Sequence, residues 1–162
     1  MAHDTSIVFI CMGNICRSPT AEGVFRHKAR AAGLIERIAI DSAGTHDYHP
    51  GSPPDARSQH HARQRGYDLS SLRARALREA DIERFDWLIV MDDLNYSTVR
   101  KRMANEHHHK LRLLTEFCRA HQTREVPDPY YGEREDFERV LDLVEDGCDG
   151  LLANLREATA FR

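Results

Sequence analysis

Apolar positions along this chain fall into two kinds of run that alternate from end to end. Ile7-Val8-Phe9-Ile10, Ile38-Ala39-Ile40, Trp87-Leu88-Ile89-Val90 and Leu111-Arg112-Leu113-Leu114 are too short for helices and read as buried strands. Between them the apolar residues recur at helical spacing. Ala21, Val24 and Phe25 begin a stripe that predicts a helix from Pro19 to about Ala32, with Ser18 as N-cap and Gly33 as stop. Asp55 opens a second helical stretch that ends near Gly66, and Asp93 to Met103 predicts another. The segment 67–85 is dense in charge and leaves its boundaries open, apart from a helical turn or two over Glu79 to Arg84. The last helix is the clearest: Phe137, Val140, Leu141, Val144, Cys148, Leu151, Leu152 and Leu155 share one face. Gly147 and Gly150 weaken its middle by about 1 kcal/mol each relative to alanine, so tertiary packing has to compensate.

Strands alternating with helices predict an α/β, three-layer fold, a parallel sheet with helices on both faces. No repeat, low-complexity tract or linker divides residues 1–162, which read as one domain. A chain of this length buries roughly 70% of its unfolded surface without help from metal or disulfide. The net charge of -3 argues against nucleic acid or an anionic membrane as a general partner. No apolar stretch is long enough to span a bilayer, and Met1 to Ser6 lacks the marks of a signal peptide, so the expected location is cytoplasmic. There the four cysteines are reduced, either catalytic or buried, with Cys118 and Cys148 expected as packed hydrophobes.

Candidate chemistry gathers between the first strand and the first helix, in Cys11-Met12-Gly13-Asn14-Ile15-Cys16-Arg17-Ser18-Pro19. Backbone amides at a helix start attract anions, and a loop bent around them forms a nest of further amides. Gly13 permits close approach of backbone, and Asn14 tolerates a left-handed turn. Arg17 offers a planar fork to two phosphate oxygens. The same positive field favours a thiolate at Cys11, so nucleophile and anion cradle coincide.

This run resembles the active loop of the low-molecular-weight protein tyrosine phosphatase family, Cys-x5-Arg-[Ser/Thr] after the first strand. The match continues almost unbroken from Val8 to Glu22, and three later stretches are similar to family landmarks in the family order: Asp41-Ser42-Ala43-Gly44-Thr45, Val90-Met91-Asp92-Asp93-Leu94-Asn95 and Val126-Pro127-Asp128-Pro129-Tyr130-Tyr131. The resemblance implies a four-stranded parallel sheet in the order 2-1-3-4, with the loop at the carboxyl end of the first strand, where open α/β sheets bind ligands. It implies Cys11 as nucleophile, Arg17 and the amides of Met12, Gly13, Asn14, Ile15, Cys16 and Ser18 as the phosphate cradle, and Asp128 as general acid. Asn14, Ser18, Ser42 and Asp92 would brace the loop, Ser18 through the Cys11 sulfur. Ser42 and Asp92 have plainer roles open to them, a strand end and a helix cap. The same resemblance implies a reversible Cys11/Cys16 disulfide under oxidation.

Aromatic residues would select the ester. Tyr48, Tyr130 and Tyr131 can wall a phenyl ring, and Ile15 stands where relatives that look like arginine phosphatases tend to carry threonine. The expected substrate is a phosphotyrosine-containing protein or a small aryl phosphate, with phosphate and vanadate as inhibitors. His46 and His49 flank Tyr48 and would tune access, in the region that departs most among the relatives this chain resembles. His107-His108-His109 and His60-His61 read as solvated surface; neither metal nor cofactor is expected. Two other functions compete. An arsenate reductase of this fold carries a further cysteine pair around the segment from Tyr67 to Met91, and this chain has none there. A non-catalytic phosphate-binding module usually loses the nucleophile or the acid, and both Cys11 and Asp128 are present. Nucleotide-binding glycine loops are absent.

Overall fold

The computed structural model describes residues 3–158. Its elements are β1 (Thr5–Cys11), α1 (Arg17–Ala31), β2 (Ile38–Gly44), α2 (Ala56–Gln64), α3 (Glu79–Arg84), β3 (Trp87–Val90), α4 (Asp93–Lys101), β4 (Leu111–Leu113) and α5 (Arg134–Ala158). All strands are parallel and lie in the order β2-β1-β3-β4. Ile7, Phe9 and Cys11 of β1 point into one core with α1, α2 and α5, while Val8 and Ile10 point into the other with α3 and α4. Burial from both sides is why β1 reads as a continuous apolar run rather than an alternating one. Its register brings Cys11 opposite Gly44 and Ile10 opposite Val90, so the chain leaves β1 between the ends of its two neighbours.

Three expectations change in detail. Helix α1 starts at Arg17, and its N-cap is Cys16 with no side-chain cap bond. Ser18 is therefore not the cap: it lies inside the first turn, and its hydroxyl turns toward the loop instead. Gly33 closes the helix at a φ of 75°, as its stop signal required. The α5 glycines are needed where they stand. A Cβ on Gly147 would lie 2.6 Å from Leu114 Cγ, and one on Gly150 would run into the Phe117 carbonyl, so both let α5 press against the 3₁₀ turn Leu114–Phe117. Cys148 is fully buried as expected, whereas Cys118 is only half-buried and donates to the Leu143 carbonyl at 3.6 Å.

The charge-rich segment after α2 is also ordered. Residues 74–77 run alongside the end of β2, with Gly44 N donating to Arg75 O and Leu77 N donating to Gly44 O, both at 2.8 Å. Arg75 then reaches Asp41 at 3.0 Å and the buried Asp81 at 2.8 Å, tying β2 to α3.

Candidate active site

The turn from β1 into α1 is shaped from outside. Thr45 N, His46 N and Asp55 N donate to the carbonyls of Cys11, Met12 and Ile15 at 2.9, 3.0 and 2.8 Å. No described peptide bond is cis, so each carbonyl drawn outward turns the following N–H inward, and the loop becomes a concave set of donors. Asn14 makes the bend at a φ of 57°, the left-handed conformation expected of it. The glycine most constrained here is Gly44, since a Cβ there would sit 2.8 Å from Met12 O and 3.0 Å from His46 O.

Behind the loop lies a chain of hydrogen bonds whose polarity follows from counting protons. The Asn14 side-chain amide donates to Ser18 Oγ at 2.7 Å and to Ser42 Oγ at 3.0 Å, which uses both of its hydrogens. Each hydroxyl, having accepted there, turns its own hydrogen elsewhere. Ser42 donates to Glu22 Oε1 at 2.7 Å, and Arg26 holds the other Glu22 oxygen at 2.9 Å. Ser18 is left to donate to Cys11 Sγ at 3.0 Å, its alternative acceptor, Ala43 O, being farther at 3.4 Å. A hydrogen aimed at sulfur favours the negative charge that a nucleophile needs. The remaining Asn14 atom, Oδ1, accepts from Arg75 N at 3.0 Å.

Arg17 is 2% exposed, and its Nη1 is consumed by Asp92 Oδ2 at 2.6 Å and Val126 O at 3.1 Å. That fixes the plane of the guanidinium and leaves its Nε and Nη2 edge for a ligand. Burial opposes the charge, but the neighbouring Cys11 charge and the Asp92 bond outweigh it and hold the Arg17 pKa above its ordinary value. Asp92 joins the two roles left open for it: Oδ1 caps α4 by accepting from Asn95 N at 2.7 Å, while Oδ2 grips Arg17. Asp128 faces the same guanidinium, its Oδ2 3.7 Å from Arg17 Nη2, and Tyr130 N donates to its Oδ1 at 3.1 Å.

Together these groups line a cavity of about 370 Å³ with Cys11, Arg17 and the loop at its floor and Asp128 at its edge. Ile15, Tyr48, Tyr130 and Tyr131 line its walls as the sequence led us to expect, and His49 joins them. Tyr48 stacks on His46 at 4.9 Å, and Tyr131 meets Tyr130 edge-on at 4.9 Å. Cys16 also borders the cavity, but burial pushes its pKa up to about 12, against a hydrogen bond with Ser58, so it stays a neutral thiol. Ser42 does not reach the cavity wall; like Asn14 and Asp92 it acts on the loop and the arginine.

Three further residues belong to the site. Glu22 had a signal, a carboxylate four residues after Ser18 on the buried side of α1. Arg75 had none, because its contribution to Asn14 is made by the backbone. Arg57 holds Asp55 at 2.9 Å and Tyr130 O at 3.0 Å, joining the acid-bearing segment to the start of α2.

Against known proteins, residues 6–160 match the family model described as low molecular weight phosphotyrosine protein phosphatase. A putative low molecular weight protein-tyrosine-phosphatase of Synechocystis sp. is 42% identical over 92% of this chain and 95% of its own. The human low molecular weight phosphotyrosine protein phosphatase is 36% identical over 91% of this chain and 93% of its own. Among solved structures, a protein tyrosine phosphatase of Entamoeba histolytica with Hepes in its active site superimposes with a TM-score of 0.92 at 38% identity, covering 95% of this chain and 98% of that one. YfkJ of Bacillus subtilis gives 0.90 at 36% identity, covering 96% of each chain. With its loop, its sheet order and its relatives in agreement over nearly the whole length, this chain belongs to the low molecular weight phosphotyrosine protein phosphatase family.

Proposed function

We propose that the protein hydrolyses phosphotyrosine side chains and small aryl phosphates through a cysteinyl-phosphate intermediate. The observation that carries this is the meeting, in one cavity, of a sulfur 3.0 Å from the Ser18 hydroxyl, a guanidinium with one edge free, and a carboxyl 3.7 Å from that guanidinium. In the first displacement Cys11 Sγ attacks phosphorus in line. An S–P bond forms, the P–O bond to the phenol breaks, and Asp128 gives its proton to the departing oxygen. Arg17 and the inward amides of the loop hold the equatorial oxygens as charge builds on them. In the second displacement Asp128, now a carboxylate, takes a proton from water as that water attacks phosphorus. Cys11 leaves as a thiolate supported by Ser18.

Aryl selectivity follows from the walls. A phenyl ring fits between Tyr48 and the Tyr130/Tyr131 pair, and its length lets phosphorus reach a nucleophile at the floor, which a serine phosphate is too short to do. Free phosphate and vanadate would occupy the cradle and compete. An arsenate reductase is not favoured: Cys118 and Cys148 do not line the cavity, and Cys148 is fully buried. A peroxide would oxidise the Cys11 thiolate to a sulfenic acid and be reduced to water or an alcohol in doing so; the Cys16 thiol would then attack that sulfur, forming the disulfide with loss of water. No described helix is long and apolar enough to cross a membrane.

The test is hydrolysis of a series of aryl phosphates by wild type, Cys11→Ser and Asp128→Asn. Cys11→Ser should lose about 10⁴-fold or more in turnover while inorganic phosphate still binds. Asp128→Asn should lose about 10²-fold or more with poor leaving groups and much less with p-nitrophenol. A loss that does not depend on the leaving group would remove Asp128 from the acid role.

A further inference from the structure

Beside the catalytic cavity lies a second, open one of about 260 Å³, lined by α2, Gly132, Glu133 and the beginning of α5. Its lining carries Arg57, His60, His61 and Arg134 against one acid, Glu133. Asp55 and Glu138 pair with Arg57 and His61 and balance part of that charge, so the donors still free decide what the cavity can hold. Asp136, nearby, is occupied in accepting from Glu133 N at 2.7 Å.

The basic side chains are not equally engaged. Arg57 is fixed by Asp55 on its Nε and Nη2 side, at 3.1 and 2.9 Å, and lies over the Phe137 ring at 4.7 Å. Its Nη1 has no partner among the described residues. The Arg134 guanidinium has none either. His61, expected on the solvated surface, is instead buried: it stacks on Phe137 at 5.8 Å and spends Nδ1 on Glu138 at 2.5 Å, so the ring is held and Nε2 of the neutral imidazole is an acceptor. The Arg57 Nη1, the free Arg134 guanidinium and His60, whose Nε2 accepts from Gln64 Nε2 at 3.3 Å and so leaves an Nδ1–H, are donors that bind carboxylate or phosphoryl oxygens.

Resting on the phosphotyrosine assignment above, we propose that this cavity binds an anionic side chain of the substrate polypeptide flanking the phosphotyrosine. The two cavities share one wall: Arg57, which lines the second, also holds the Tyr130 carbonyl at 3.0 Å. Tyr131, 95% exposed on the rim, gives a segment crossing that wall a ring to lie against.

The experiment compares three phosphotyrosine peptides of equal length, with alanine, glutamate or a second phosphorylated residue at the flanking positions, and p-nitrophenyl phosphate beside them. Wild type, Arg134→Glu and His60→Ala are assayed at low salt. In wild type, kcat/KM should favour the anionic peptides by about five-fold, through KM, as expected for one or two solvent-exposed charge contacts. Arg134→Glu should cut that preference below about two-fold and His60→Ala should reduce it, with p-nitrophenyl phosphate unaffected by either. The preference should also shrink in salt. A stronger effect of the phosphorylated peptide identifies a phosphoryl ligand, and a stronger effect of glutamate identifies a carboxylate. Equal kcat/KM for neutral and anionic peptides in wild type, or a preference that survives both substitutions, overturns the proposal and leaves the catalytic assignment standing. Failure to hydrolyse p-nitrophenyl phosphate would remove both.

Discussion

Behind the oxyanion loop, Asn14, Ser18, Ser42 and Glu22 are each 4% exposed or less, and fixed hydrogen bonds join them to the nucleophile. In front of it, Tyr48 is 60% and Tyr131 95% exposed, and both are held to their neighbours by ring contacts. The rear is built to have one arrangement, since any lost bond there leaves a buried polar group unpaired. The front can tilt to admit different rings at little cost. Transition-state charge is thus met by groups that do not reorganise, while substrate choice is left to side chains that can.

The largest break in this contrast is Arg17→Lys. It keeps the charge but loses both the Nη1 anchors and the free fork, and kcat on an aryl phosphate should fall by about 10³-fold. Next is Arg75→Met, which strips the buried Asp81 of its main partner and should cost about 2 kcal/mol in denaturant unfolding at neutral pH. Burial raises the Asp81 pKa, but the Arg75 and Arg78 hydrogen bonds prevail and hold it below 3.8. A depressed carboxylate stabilises the fold above its unfolded pKa and loses that contribution as pH falls through the folded value. The gap between wild type and Arg75→Met should therefore narrow below about pH 4.

Glu22 has the opposite sign. Burial raises its pKa above 4.5 despite the Ser42 and Arg26 bonds, so its contribution to stability is greatest in acid and is lost as pH rises through the folded value. Glu22→Gln should accordingly unfold no more readily than wild type at neutral pH, yet lose about ten-fold in kcat and shift iodoacetate labelling of Cys11 to higher pH. A fall in melting temperature with unaltered labelling would reduce Glu22 to a packing role. Smallest is Tyr131→Ala, which should raise KM for a phosphotyrosine peptide about three-fold and leave inhibition by phosphate unchanged.

Much of the front and floor was legible in the sequence because it is contiguous. Cys11 to Ser18 is one loop, Asp128 to Tyr131 another, and the strands announced themselves through β1's double-sided burial. The rear was harder. Ser18 read as a helix cap from its own neighbours, and its bond to the Cys11 sulfur came from the resemblance; the fold adds the Asn14 amide that donates to the same hydroxyl. Arg75 acts through a backbone N–H that carries no residue signature. Gly147 and Gly150 read as weak points since propensity weighs a helix alone, whereas the Leu114–Phe117 turn arrives from a distant part of the chain.

Gly44 has a wider consequence. It sits on β2, makes no contact that chemistry requires, and faces the Met12 carbonyl at a separation that admits no further carbon. A single methyl group there would push on the peptide that turns the Gly13 amide toward the phosphate, silencing the enzyme from a strand the substrate never meets.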